Sequence, residues 1–303
     1  MRKIGFIGLG TMGLPIAMNL VNAGYQLYVG FHNNRKPAEA VAEKGAVICS
    51  TYREVGENAD IIFTVVPNDK EVEEVIFGEN GLEEGLRPGC IVIDMSTIDL
   101  SRSREFGTRL KEKGIYFFDA PISGGPAGAS AGTLAIMVGG DKEVFEELRE
   151  VLNVIGKNIV YCGPSGLGLA AKMANNLIAA SEMAAIAEAV CLAVKAGINP
   201  SDLYQVLKNA TANSVILNAK MPMFMENDYN PSFKLSLMYK DLNIITDVGK
   251  KLGTPTLVAS LVEQIFGMCR EEHGEKDSGA IALFYQKQAG VSFEVEKELT
   301  EKK

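Results

Sequence analysis

The stretch KIGFIGLGTMGLPIAMNL, residues 3–20, decides how the chain must begin. A short apolar run ends in closely spaced glycines, and an amphipathic run from Leu14 to Ala23 follows. Gly8, Gly10 and Gly13 make a G-x-G-x-x-G, with Leu9, Thr11 and Met12 between them. Alone, such a match is weak, but between a strand and a helix it has the context that its physics needs. Gly8 permits a tight turn, Gly10 lets a pyrophosphate approach the backbone, and Gly13 allows close helix–strand packing. The helix N-terminus then offers N–H groups to phosphate oxygens.

The same rhythm continues outward from this unit. Short apolar runs (YQLYVGF, AVIC, DIIFTVV, CIVIDMS, IYFFDAP, LAIMVGG and NIVYCG) alternate with helix-like spacers. Runs of this length, rich in β-branched residues and bounded by glycine or polar residues, suit strands buried on both faces. Helical spacers between them imply right-handed crossovers. The expectation is an α/β fold: a Rossmann-type, doubly wound, mostly parallel sheet over residues 1–164.

Beyond residue 164 the pattern changes. Gly166 to Ala196 is a proline-free run of roughly thirty residues, about 45 Å long if it forms one helix. It stops at Gly197, and Asn199-Pro200 reads as the cap and first residue of the next helix. Further helices fit 200–210, 213–226, 232–252, 255–273 and 277–289, before a charged tail, EVEKELTEKK. Residues 165–303 are therefore expected to form a long interdomain helix and an all-helical C-terminal domain. The length of 303 residues accommodates two such cores.

Bulk composition excludes several classes. The formal net charge of −8 argues against a nucleic-acid partner, which needs clustered Lys and Arg. The apolar run near the N-terminus is too short to span a membrane, and no cleavable leader pattern is present, so the expected location is cytoplasmic with no membrane partner. Cys49, Cys90, Cys162, Cys191 and Cys269 are dispersed, which suits reduced packing thiols and no metal site. With His32 and His273 the only histidines, a histidine base has few candidates.

The end of the second apolar run bears on cofactor choice. An NAD site usually places an acid about 20 residues after the glycines, but Tyr25 to Ala38 contains none. The run enters His32-Asn33-Asn34-Arg35-Lys36 instead. Asn34 and Arg35 suit a 2′-phosphate, with Arg35 as bidentate donor, although solvated loop charges would look the same. NADP(H) is favoured, with NAD(H) as the alternative.

The other strand ends are alike in being small or polar. They run into Val66-Pro67-Asn68-Asp69, Ser96-Thr97 and Ile122-Ser123-Gly124-Gly125, and share one edge of a parallel sheet, where ligands bind. Ser123, Gly124 and Gly125 could cradle a small carboxylate, although S-G-G is also a common flexible turn. Lys172 then stands out in GLGLAAKMANNLIAA, residues 166–180. It shares a helix face with Asn176 at i+4, and Gly168 one turn earlier would clear space above it. A desolvated lysine has its pKa pushed down and can move a proton, whereas a snorkelling lysine packs its stem and keeps its charge wet. The residues alone leave both readings open.

Taken in order, these motifs resemble the β-hydroxyacid dehydrogenase family, which includes 3-hydroxyisobutyrate dehydrogenases, tartronate-semialdehyde reductases and glyoxylate/succinic-semialdehyde reductases. The likeness covers nearly the whole chain. FIGLGTMGLPIAMNL is similar to the family's cofactor signature, DAPISGGPAGASAGTLAIMVGG to its substrate signature, and GLGLAAKMANNL to its catalytic signature. YKDL at 239–242 and FYQKQAGVSF also look like family features. The resemblance implies that Lys172 is the general acid/base with Asn176 beside it. It implies that Ser123, Gly124 and Gly125 bind the substrate carboxylate, that Phe233 borders the substrate, and that Thr97 and Lys240 contact the cofactor. GFHNNRKP departs from the family by reading longer after the second strand, which leaves open which side chain meets the 2′ position.

The implied activity is reversible hydride transfer between a nicotinamide cofactor and a small hydroxy acid or aldehyde acid. NADPH-dependent reduction of a small semialdehyde or glyoxylate leads, and an NAD-dependent 3-hydroxyisobutyrate dehydrogenase is the alternative. A dinucleotide-binding protein without catalysis would have little reason to keep Lys172, Asn176 and Ser123 together. Imine reductases share the fold but lack a lysine at the catalytic position. The implied partners are a small carboxylate substrate and a second or further copies of the chain, as homodimer or homotetramer.

Overall fold

A computed structural model describes residues 2–295. The charged C-terminal tail lies, from residue 296 on, outside the described residues. Backbone contacts divide the chain into two compact units, the first ending at Met173 and the second starting at Ala174.

The first unit alternates strand and helix. Its elements begin with β1 (Ile4–Ile7), α1 (Gly13–Asn22), β2 (Leu27–Gly30), α2 (Lys36–Ala42), β3 (Val47–Ile48), α3 (Tyr52–Asn58), β4 (Ile61–Thr64) and α4 (Asp69–Phe77). There follow α5 (Leu82–Gly85), β5 (Ile91–Asp94), α6 (Leu100–Lys111), β6 (Tyr116–Asp119), β7 (Ile122–Ser123), α7 (Gly125–Ala131), β8 (Leu134–Gly139), α8 (Lys142–Ile155) and β9 (Gly156–Gly163). Helix starts carry their own acceptors: Thr51, Asn68, Asp99 and Asp141 each take a first-turn N–H. Each such cap contributes about 1 kcal/mol.

The strands lie in the order β3-β2-β1-β4-β5-β6-β8-β7, with β9 beside β8. From β3 to β6 every pairing is parallel. Every residue of β1, β4 and β5 is buried, as continuous apolar runs between helix layers require. This is the Rossmann-type sheet expected from the glycine loop and the runs that follow it. One detail differs: β8, the run LAIMVGG, is antiparallel to both β6 and β7. The chain between β6 and β8 holds only the two-residue β7 and the short α7, too little for a parallel crossover. The core gathers Phe6, Phe63, Ile93, Phe118, Phe145 and their neighbours.

The second unit is helical. The 29-residue α9 (Leu167–Lys195) begins in the first unit and continues into the second. After it come α10 (Pro200–Leu207), α11 (Val215–Glu226), α12 (Leu235–Leu252), α13 (Leu257–His273) and, after a short 3₁₀ turn at Ser278–Ala280, α14 (Ile281–Ala289). Asn199 caps α10 through Ser201 N–H. By length and apolarity α9 could cross a membrane. Its buried residues Ala180, Met183, Ala187 and Val190 instead join Met221, Phe224, Leu242 and Phe266 in the core of this unit.

Candidate active site

The parallel register puts the ends of the central strands in one row. Ile7 is opposite Gly30 and Thr64, Thr64 opposite Asp94, and Asp94 opposite Asp119. The loops that follow leave from this single edge: the glycine loop at 8–13, then 31–35, 65–67, 95–97 and 120–125.

In the glycine loop each glycine has its own reason. Gly8 has φ +95°, and a Cβ there would lie 2.1 Å from the Val65 carbonyl oxygen. A Cβ on Gly13 would lie 1.9 Å from the Gly8 oxygen, so that glycine lets α1 start against the turn. Gly10 faces open space, with nothing within 4 Å of a built Cβ. Helix α1 has no side-chain cap and no acid in its first turn. An open glycine beside an uncapped helix N-terminus fits the pyrophosphate of a dinucleotide.

After β2 the side chains are exposed. Asn34 Oδ1 accepts from Lys36 N–H at 3.2 Å. The Arg35 guanidinium lies 5.5 Å from the Phe31 ring centre and pairs with Glu39 at 3.2 Å. With 59% of its side chain exposed, it can be reached from solvent.

The loops after β4 and β5 are tied together by Asp94. Its Oδ1 accepts from Thr64 Oγ1 at 2.8 Å and from Ser96 Oγ at 2.6 Å. Ser96 Oγ in turn accepts from Val66 N–H at 3.0 Å. This buried network sets the backbone of Val66-Pro67 beside that of Ser96-Thr97. After β6 the chain forms the Ser123-Gly124-Gly125 turn, in which φ is +131° at Gly124 and +62° at Gly125. Two successive positive values need glycine at both places. A Cβ on Gly125 would meet nothing within 4 Å, which leaves its amide approachable.

Lys172 lies on the second turn of α9 and is buried, with 7% of the residue exposed. Gly168 does not clear space above it, as the sequence suggested. A Cβ there would lie 2.4 Å from the Met137 oxygen and 2.6 Å from the Asp119 oxygen, so Gly168 serves close helix–strand contact. Asn176, one turn on from Lys172, is also buried. Its Nδ2 donates to Asp241 Oδ2 at 2.6 Å, and its Oδ1 accepts from Asn175 Nδ2 at 3.0 Å. Because a carboxylate only accepts, this network fixes which end of the Asn176 amide faces which way. Lys240 Nζ lies 3.2 Å from Asp241 Oδ1.

Sequence reasoning singled out Lys240 in YKDL but not its neighbour Asp241, which is buried and orients Asn176. The signal was an acid between an apolar face and a lysine, and it does not distinguish a solvated pair from a buried one. Phe233 is half-buried, with its N–H 3.3 Å from Asp277 Oδ2 and its carbonyl accepting from Ser278 N–H at 2.8 Å. Sequence reasoning passed over Asp277 as well.

Two family models match the chain. Residues 3–163 match the NAD-binding domain of 6-phosphogluconate dehydrogenase, and residues 166–285 match the NAD-binding region of NADP-dependent 3-hydroxyisobutyrate dehydrogenase. A 2-(hydroxymethyl)glutarate dehydrogenase from Eubacterium barkeri is 39% identical over 96% of this chain and 97% of its own. The chain belongs to the β-hydroxyacid dehydrogenase family. Another member, 2-hydroxy-3-oxopropionate reductase of Escherichia coli, is 40% identical over 90% of this chain and 93% of its own. Among solved structures, 3-hydroxyisobutyrate dehydrogenase of Mycobacterium tuberculosis with L-serine superimposes with a TM-score of 0.87. It is 33% identical and the match covers 94% of this chain and 99% of that one. An imine reductase from Pseudomonas, 18% identical with a TM-score of 0.61, shares the fold alone. As a family member the protein is an NAD(P)-dependent oxidoreductase of hydroxy acids.

Proposed function

We propose that this dehydrogenase uses NADPH to reduce a small semialdehyde or glyoxylate, with Lys172 as general acid/base. One observation carries the role of Lys172: a lysine buried on the helix that starts against the strand leading into Ser123-Gly124-Gly125. A bound nicotinamide supplies a hydride in reduction and accepts one in oxidation. Lys172 gives a proton to the carbonyl oxygen, or takes one from the alcohol in the reverse direction. Asn176, held by Asp241, orients that oxygen. The Ser123 hydroxyl and the Gly124 and Gly125 amides hold the substrate carboxylate, and Phe233 borders the substrate. Leu9, Thr11 and Met12 of the glycine loop, Val66-Pro67, Thr97 and Lys240 contact the cofactor.

The preference for NADPH rests on the loop after β2, residues 31–35, which itself carries no acid for a ribose 2′-OH and leaves Arg35 accessible. Initial rates of NADPH and NADH oxidation with glyoxylate, succinic, methylmalonate and tartronate semialdehydes test both substrate and cofactor. In the Arg35→Ala variant, kcat/KM for NADPH should fall about 10- to 100-fold, from loss of a charged bidentate contact, while that for NADH stays level. An unchanged preference removes Arg35 from the 2′ site. The second reading, NAD-dependent oxidation of 3-hydroxyisobutyrate, is favoured by the likeness to the mycobacterial enzyme of that name. NAD⁺ reduction with 3-hydroxyisobutyrate at rates above the NADPH reactions would select it.

Self-association and cytoplasmic location belong to the same reading. Leu257, Val258, Leu261 and Met268 form an exposed apolar stripe on α13, larger than isolated surface residues would explain. Light scattering should give a dimer or tetramer, and Leu261→Glu should lower the mass toward one chain. A monomeric wild type contradicts this. The five cysteines are unbridged, as in a reducing compartment.

A further inference from the structure

Asp119 ends β6 and is fully buried, yet no role in binding substrate or cofactor falls to it. Its two carboxylate oxygens are aimed at the start of α9. Oδ1 accepts from Gly166 N–H at 2.6 Å and Oδ2 from Leu169 N–H at 2.9 Å. These are first-turn amides that a helix cannot satisfy internally. The chain offers a local cap, Ser165, just before the helix. Its hydroxyl is buried and makes no hydrogen bond among the described residues. The cap therefore comes from a strand 47 residues earlier.

The surroundings are shaped for this contact. Glycine at 139 is required because a Cβ would lie 2.6 Å from Asp119 Oδ1. Glycine at 168 is required for the same reason, with a Cβ 2.9 Å from Oδ2. Stability alone does not favour the arrangement. Burial pushes the Asp119 carboxyl up and Asp94 on the neighbouring strand adds to the push; even with the amides pulling it partly back, it stands at about 6. A buried carboxylate beside another acid is an expensive way to cap a helix.

Its place in the chain supplies a reason. Four residues after Asp119 is Ser123, the start of the turn assigned to the substrate carboxylate. Three residues after Leu169 is Lys172. We infer that Asp119 is a positioning residue for the reaction: by gripping the first turn of α9, it sets Lys172 at a fixed place relative to the Ser123-Gly124-Gly125 turn. This inference rests on the roles proposed for Lys172 and that turn. Correct placement of reacting groups accounts for large parts of enzymatic rates, and shifts of an ångström can cost a hundredfold.

The test compares wild type with Asp119→Asn, which keeps one acceptor, and Asp119→Ser, which keeps a hydroxyl and removes bulk. Leu148→Ala, in the buried face of α8, serves as a control for general destabilisation. Three quantities are read: kcat and KM for the substrate, Kd for NADPH by fluorescence, and the pH profile of Lys172 acetylation by acetic anhydride, followed by mass spectrometry. The expected result is kcat about 10- to 100-fold lower in both Asp119 variants, Kd for NADPH within about threefold, and a displaced Lys172 labelling profile. Leu148→Ala should lower Tm while keeping kcat and the labelling profile. Asp119 variants that match Leu148→Ala in kcat and labelling overturn the inference. If wild type reduces none of the carbonyl acids, the proposed function falls. The labelling profile then decides alone: displaced in the variants supports positioning by Asp119, and unchanged overturns it.

Discussion

Replacement of Lys172 by alanine is expected to lower kcat about a thousandfold while leaving NADPH bound. The size follows from what is removed. Proton transfer by a positioned group contributes roughly 10²–10⁴-fold, and no histidine stands in: His32 lies in the exposed loop after β2 and His273 at the end of α13. Lys172→Arg should fare little better, because a guanidinium does not give up its proton near neutral pH. Cofactor affinity, read by NADPH fluorescence, should stay within a few-fold in both variants, since the glycine loop is untouched. A Lys172→Ala enzyme that folds, binds NADPH and keeps near-normal kcat would show that the buried lysine is only a packing residue.

The largest effect on stability is expected at Asp277. This fully buried carboxylate collects Lys220 Nζ at 2.5 Å, Gly279 N–H at 2.8 Å, and Ser232 through both Oγ at 2.8 Å and N–H at 3.0 Å. The Asp277→Ala variant strands the Lys220 ammonium, itself 8% exposed, together with several amides. Breaking a buried pair from one side costs about 3–5 kcal/mol. Lys220→Met combined with Asp277→Leu should recover part of that, because no charge is left behind. Urea denaturation gives both values. The pH dependence has a definite sign. Burial pushes the Asp277 carboxyl up, but the Lys220 charge and the converging donors outweigh it and hold the pKa below the ordinary aspartate value. A depressed folded pKa means stabilisation that is complete above the unfolded value, about 4, and lost as pH falls through the lower folded one. The gap between wild type and Asp277→Ala should therefore be full at pH 6 and shrink below about pH 4. A gap that widens in acid would contradict the pairing.

Much of this molecule is legible in its residues because hydrophobic runs and glycines speak for local geometry. The central strands β1, β4 and β5 are buried on both faces and so read as unbroken apolar runs. The tight turn and close packing of the glycine loop are legible because Gly13 meets the carbonyl of Gly8 in the same loop, although the carbonyl that Gly8 itself meets belongs to Val65 after β4. What escaped was long-range. Strand β7 has two residues, too few to carry a period. Gly168 reads as clearing space above Lys172, whereas its neighbours are β6 and β8, distant in sequence. Asp119, Asp241 and Asp277 were passed over for one reason: an aspartate's letter does not say whether it is solvated. Their partners lie 47 to 65 positions away or, for Asp277, on two other segments. Lys172 stands out in the sequence because a lone cation in an apolar helix is a local anomaly.

The continuity of α9 limits how the chain can change length. The division between units falls after Met173, inside a helix, with Lys172 on one side and Asn176 on the other. In most two-domain proteins a boundary lies in a loop that absorbs insertions and deletions without disturbing either side. Here one added residue between positions 172 and 176 would turn Asn176 by about 100° around the helix axis and shift it by about 1.5 Å. The amide would leave the face that carries the lysine. The register from Gly166 to Asn176 should therefore tolerate substitution far better than any change in the count of residues.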